Sequence, residues 1–108
     1  MLTTTSGKKS LLRNLCTSLL LSEKIKTTLP KAKLLRQYAE KIINKAKKQN
    51  LHSWRFVLSE IKNKDALRKL KEVIAPRYEN RNGGYVQILK FKPRRGDSAE
   101  TAIVRLVQ

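Results

Sequence analysis

Behind Pro30, apolar side chains recur at Leu34, Leu35, Tyr38, Ala39, Ile42, Ile43 and Ala46, the i, i+3, i+4 rhythm of one helical face. Proline suits the first turn of a helix, where its missing N–H would go unpaired anyway. So continuous an apolar stripe has to be covered, and the rest of the chain must supply the cover. At 108 residues there is enough chain for one core and too little for a separate catalytic domain.

Upstream, Leu11, Leu12, Leu15, Cys16, Leu19 and Leu20 repeat the helical rhythm, with Ser6 or Ser10 as N-cap and an end expected near Ser22. Residues 23–29 (EKIKTTL) then suit a short strand, stopped by Pro30. Beyond the stripe, Lys47, Lys48, Gln49 and Asn50 break the pattern. Ser53 is placed to cap a third helix that buries Trp54, Val57, Leu58 and Ile61. A turn at 62–64 leads to a fourth helix, capped by Asp65, burying Leu67, Leu70, Val73 and Ile74 and ended by Pro76.

After Pro76 the character changes. Asn82-Gly83-Gly84 reads as a loop needing positive φ or close backbone approach, followed by a strand over 85–91 (YVQILKF). A second loop, 92–98 (KPRRGDS), leads to a last strand in which Ala102, Val104 and Leu106 share one face. Thr101, Ile103, Arg105 and Val107 share the other. The two strands are expected as an antiparallel hairpin with a long basic tip. Helix, strand, three helices and two strands define an α/β two-layer fold, a small mixed or antiparallel sheet packed on helices.

Charge narrows the partners. The chain carries 25 Lys and Arg against 8 Asp and Glu, a net +17, divided as +10 over residues 1–50 and +7 over 51–108. The charge therefore belongs to the whole domain rather than to a tail. Such an excess repels itself and attracts polyanions: nucleic acid first, then an anionic membrane surface or an acidic protein.

Catalytic and metal chemistry is missing. Cys16 is the lone cysteine, which points to a reducing compartment, and it sits on an apolar helical face as a small hydrophobe. His52 has no ligand companion and suits a solvated or capping role. The acids are scattered among basic neighbours, and no GxxxxGK[ST], GxSxG or HExxH motif occurs. We expect no enzyme, no metal, no cofactor and no small-molecule substrate. Residues 1–21 are acid-free and rich in Ser, Thr and Leu, like a targeting peptide. They lack a secretory apolar run, and nothing in the chain has the length of a membrane span.

Phosphate-binding chemistry is present. Arg77, Arg81, Arg94 and Arg95 lie in or beside two loops at opposite ends of one strand, and guanidinium forks hold phosphate oxygens bidentately. Lys31, Lys33, Lys41, Lys45, Lys47 and Lys48 with Arg36 flank the apolar stripe, with few acids to pair them. Trp54 and Tyr85 are candidates for base stacking or for core packing, with core favoured for Trp54 and neither favoured for Tyr85.

Two blocks, RNLCTSLLLSEKIKTTLPKAKLLRQYAEKIINKAK (13–47) and PRYENRNGGYVQILKFKPRRGDSAETAIVRLV (76–107), resemble the bacterial large-subunit ribosomal protein number seventeen family. The most specific stretches are Arg13-Asn14, Thr27-Thr28 through Lys31-Ala32-Lys33, and Arg81 with Gly83-Gly84-Tyr85 through Arg95-Gly96-Asp97. The resemblance implies a structural, non-catalytic component of the large ribosomal subunit, on its solvent side near the peptide exit region. It implies that the protein binds the large ribosomal RNA and assists its folding during assembly. Implied partners are that RNA and neighbouring large-subunit proteins, with no membrane, in a cytoplasmic ribosome or, as the alternative, an organellar one.

Carried over residue by residue, the implied RNA contacts are Lys8, Lys9, Arg13, Lys31, Lys33, Arg77, Arg81, Tyr85, Arg94 and Arg95. Residues 1–108 are then a single ribosomal RNA-binding domain, with 1–10 a short basic N-terminal arm. The arm departs from the family, shrinking upstream of the first helix to 1–5 and carrying Gly7-Lys8 where the family tends to His-Arg. The competing reading is a nucleoid or duplex-DNA-binding protein, which calls for a base-reading helix start or a dimer interface. A third is an amphipathic protein of membrane surfaces using the first two long helices.

Overall fold

The stripe behind Pro30 becomes the centre of the fold. A computed structural model describes residues 5–91 and 100–107. Helix α1 (Thr5–Ser22) leads to β1 (Lys24–Thr28), α2 (Leu29–Lys47) and α3 (Leu51–Glu60). Helix α4 runs through Lys64–Lys69, a π turn at Leu70–Ile74 and a last turn at Ala75–Arg77; β2 (Val86–Phe91) and β3 (Thr101–Leu106) complete the order. That order is the expected one. The basic tip between β2 and β3 lies outside the described residues.

The strands form one antiparallel sheet in the order β1-β3-β2. Val104 of the central strand faces Ile25 on one side and Ile88 on the other, and Leu106 faces Val86. Ala102, Val104 and Leu106 are buried while Arg105 is exposed, as strand alternation requires. Onto the buried face α1 sets Cys16, Leu19 and Leu20, and α2 sets Leu29, Ala32, Leu35, Ala39, Ile42 and Ile43. From α4, Ala66, Leu70 and Ile74 close the core. Burial pushes the Cys16 thiol up to about 12, so it is a packed hydrophobe and not a nucleophile.

Three local expectations shift by a few residues, each for a physical reason. The cap of α3 is Asn50, whose Oδ1 accepts from the Ser53 N–H at 2.8 Å, and Ser53 is itself buried. Likewise Asn63, not Asp65, caps α4 by accepting from Ala66 N–H at 2.9 Å. The buried faces are largely the expected ones, with Val57, Ile61, Leu70 and Ile74 buried and Trp54 and Leu67 packed against the core, but Leu58 and Val73 are exposed and Phe56 and Ala66 pack inward. Replacing either asparagine by alanine is expected to cost about 1 kcal/mol, measured by denaturant unfolding.

Nor does Pro76 stop α4. The preceding π turn bonds Ala75 N–H to the Leu70 carbonyl, and this wider turn accommodates a proline in the continuing helix. The helix therefore reaches Arg77 and carries it to the end of α1.

At that meeting point stands Glu23, with φ 64, a left-handed conformation usually left to glycine. Its N–H donates to the Leu19 carbonyl to end α1, and its carbonyl accepts from Leu106 N–H to align the sheet. The carboxylate takes both Arg77 nitrogens, at 2.6 and 3.1 Å, and Lys69 Nζ at 2.9 Å. The Arg77 fork, aided by Lys69 and opposed by partial burial, holds the carboxyl at about 2.

Candidate nucleic-acid interface

The Asn82-Gly83-Gly84 loop is held from below by α2. Gly83 has φ 138 and Gly84 φ 67, and a Cβ at either would meet open space or the far end of Arg81, so the glycines serve backbone conformation rather than room. Glu40 accepts from the Gly84 N–H at 3.2 Å and the Val86 N–H at 3.4 Å. Lys47 donates to the Arg81 carbonyl and, at 2.6 Å, to the Tyr85 hydroxyl, which donates to Asn44 Oδ1 at 2.6 Å. Glu40, Asn44 and Lys47 stand at i, i+4 and i+7, so one edge of α2 pins the whole loop.

Beneath it Tyr85 is fully buried, its ring 5.0 Å from that of Tyr78, whose hydroxyl donates to the Val107 carbonyl. The Tyr85 ring is thus closed to base stacking, and the residue acts as a pillar. Tyr85→Phe removes the hydroxyl that Lys47 and Asn44 share, with an expected cost of about 1–2 kcal/mol. Amide exchange at Gly84 should quicken in the same variant, because its support loosens.

From this loop a groove runs along the open edge of β2 beside α2. One stretch, about 390 Å³, is lined by Lys33, Arg36, Gln37, Ile88 and Lys90 with Leu29. The adjoining stretch, about 370 Å³, is lined by Arg36, Arg81, Gly84, Gln87 and Ile88 among others. Arg36 belongs to both and joins them. Lys33, Arg36, Arg81 and Lys90 are exposed, and none forms an ion pair with another described residue.

Other sequence-derived candidates have different surroundings. Arg77 is engaged by Glu23. Arg13 donates to Glu60 Oε2 at 3.1 Å, Tyr38 donates to Glu60 Oε1 at 2.8 Å, and the Arg13 Nε is buried without a partner among the described residues. Burial pushes the Glu60 carboxyl up, but the bonds from Arg13 and Tyr38 outweigh it and leave the group below its ordinary value. Lys9 on α1 and Lys31 in the first turn of α2 are exposed. Arg94, Arg95 and the side chain of Lys8 lie outside the described residues.

Of the ten candidates, then, the groove gathers Lys33 and Arg81. It adds Arg36 and Lys90, which did not enter that set. Lys90 carried a readable signal: it shares strand parity with Val86 and Ile88, where alternation calls for an apolar residue. A charge pointing inward on an edge strand marks either protection of that edge or a site. Among the described residues no cluster of His, Cys, Asp and Glu could hold a metal, and no helix is long and apolar enough to cross a membrane.

A small two-layer domain of net +17, with cations from a helix, a loop and a strand along one groove that form no ion pair with another described residue, has the make-up of a class of basic polyanion-binding proteins. A family model described as Ribosomal protein L17 matches residues 11–107. The large ribosomal subunit protein bL17 of Endomicrobium trichonymphae is 54% identical over 102 residues, covering 94% of this chain and 87% of that one. The bL17 proteins of Halothermothrix orenii and Campylobacter concisus are 50% and 46% identical, over 97% and 96% of this chain and 92% and 88% of their own. The chain belongs to the ribosomal protein L17 family.

Proposed function

We propose that this protein is a structural constituent of the large ribosomal subunit that grips large-subunit ribosomal RNA along the α2–β2 groove. It catalyses nothing; its work is to neutralise and hold folded RNA during subunit assembly and translation. The observation that carries the reading is the contrast between two sets of cations. Arg13, Lys69 and Arg77 are bound to Glu60 and Glu23 within the fold, whereas Lys33, Arg36, Arg81 and Lys90 line an open groove and form no ion pair with another described residue.

Phosphate contacts position such a protein without reading sequence, and RNA is recognised largely by its shape. Lys9 and Lys31, with Lys8, Arg94 and Arg95, extend the basic surface beyond the groove. Arg13, Arg77 and Tyr85 support it by shaping the elements that present it. Neighbouring large-subunit proteins and a cytoplasmic ribosome complete the setting.

Density-gradient fractionation of a native lysate at moderate and high salt tests this. Co-sedimentation with the large subunit at both salts is expected, since an embedded protein resists the salt that strips peripheral charge contacts. Absence from that peak at both salts would overturn the reading.

A further inference from the structure

A second cleft, separate from the groove, opens where α2 gives way to α3 and the last turn of α4 passes by. Its volume is about 460 Å³, within the roughly 300–1,000 Å³ of small-ligand sites. Leu51, Trp54 and Pro76 supply apolar walls, and Gln49, Asn50 and Lys71 supply polar groups. Leu51 is 65% exposed and Trp54 only half-buried, so the chain leaves apolar surface uncovered here. We propose that this cleft receives an unstacked RNA base, which stacks on Trp54 beside the Gln49 and Asn50 amides.

Three observations choose a base over a side chain from a protein partner. Among the described residues no acid lines the cleft, and its surroundings are cationic: Lys71 lies 5.9 Å over the indole, and Lys41 and Lys45 lie 5.1 and 5.6 Å over Phe56, two residues along α3. That charge favours a polyanion passing across the α2–α3 seam. Amide side chains beside a half-buried aromatic match a flat ligand with hydrogen-bonding edges, which is how single-stranded RNA bases are held. The asparagine Oδ1 is occupied by the α3 cap, so Asn50 offers its NH2 group as a donor.

Lys71 has to leave the indole face for the base to enter. An exposed cation–π contact is worth about two- to fivefold in an equilibrium. Stacking a base on an aromatic is worth about five- to 150-fold in affinity. The exchange therefore favours the base, and the displaced ammonium is left beside the RNA backbone.

The inference rests on the RNA-binding reading, and the test separates the two. Trp54 is the sole tryptophan, so emission reports on this cleft alone. The full-length protein is titrated with a short oligoadenylate and with an abasic oligonucleotide of equal length at the same salt. Both should bind through charge, but only oligoadenylate should quench the tryptophan. Trp54→Leu, with its fold checked by circular dichroism, should lose about tenfold in oligoadenylate affinity and little for the abasic strand. Leu51→Ser keeps the reporter at a largely exposed position and should weaken the quenching.

Binding of both strands with unmoved emission would overturn the base site and leave RNA binding standing. Equal quenching by both strands would also overturn it. Failure of either strand to bind at low salt would count against RNA binding itself.

Discussion

Reversing two groove charges together, Arg36→Glu with Arg81→Glu, is expected to lower affinity for large-subunit ribosomal RNA by about a hundredfold or more at moderate salt. The slope of log affinity against log salt should fall by about 2, because two phosphate contacts no longer release counterions. Both side chains are exposed and form no ion pair with the described residues, so the thermal midpoint should hardly move. Salt-dependent filter binding with a parallel thermal melt reads both quantities. Unchanged binding with a collapsed melt would reassign these arginines to the fold.

The second large effect concerns stability alone. Glu23→Gln removes the carboxylate shared by Arg77 and Lys69 and leaves two cations facing each other in a partly buried corner. Exposed pairs are worth up to about 1 kcal/mol and buried ones cost about 3–5 kcal/mol to break, so a loss of about 2 kcal/mol is expected here. For a domain of this size that is a fall of about 10 °C in Tm. Its pH dependence follows from the folded carboxyl lying at about 2 against the ordinary 4.5. The folded state binds its proton less readily, so the stabilisation is complete above about pH 5 and lost as pH falls through 2. Wild type and variant should accordingly differ at neutral pH and converge near pH 2.

Backbone and side-chain roles of Glu23 separate in a further pair. Glu23→Ala and Glu23→Gly both lose the ion pairs, but only glycine relaxes at φ 64. The glycine variant should be the more stable of the two by about 1 kcal/mol. Equal stabilities would mean that the left-handed corner carries no strain.

Much of this architecture was legible in the sequence because it depends on local rules. The α2 stripe, Pro30 at its start, the alternation of β3 and the positive-φ glycines each declare themselves within a few residues. Three cap and terminator positions did not, because Asn50 and Ser53, or Asn63 and Asp65, are equally good caps until the helix face is docked. Pro76 misled for a different reason: a π turn ahead of it is a tertiary adjustment with no residue signature.

The interface was legible in character but not in membership. Net charge pointed to a polyanion, and family resemblance placed Lys33 and Arg81 among its contacts. Sequence could not sort paired from unpaired cations, since Glu23 and Arg77 lie 54 residues apart, as Arg13 and Glu60 lie 47 apart. Tyr85 was ambiguous for the same reason. Its burial depends on Asn44 and Lys47 of a distant helix, which close over its hydroxyl.

The most direct measurement is ultraviolet crosslinking of protein to RNA in intact large subunits, with crosslinked residues mapped by mass spectrometry. Crosslinks are expected in both segments that form the groove, residues 31–37 of α2 and 81–90 of the loop and β2. Large subunits that contain the protein but show no crosslink in either segment would contradict the groove as its RNA-binding face.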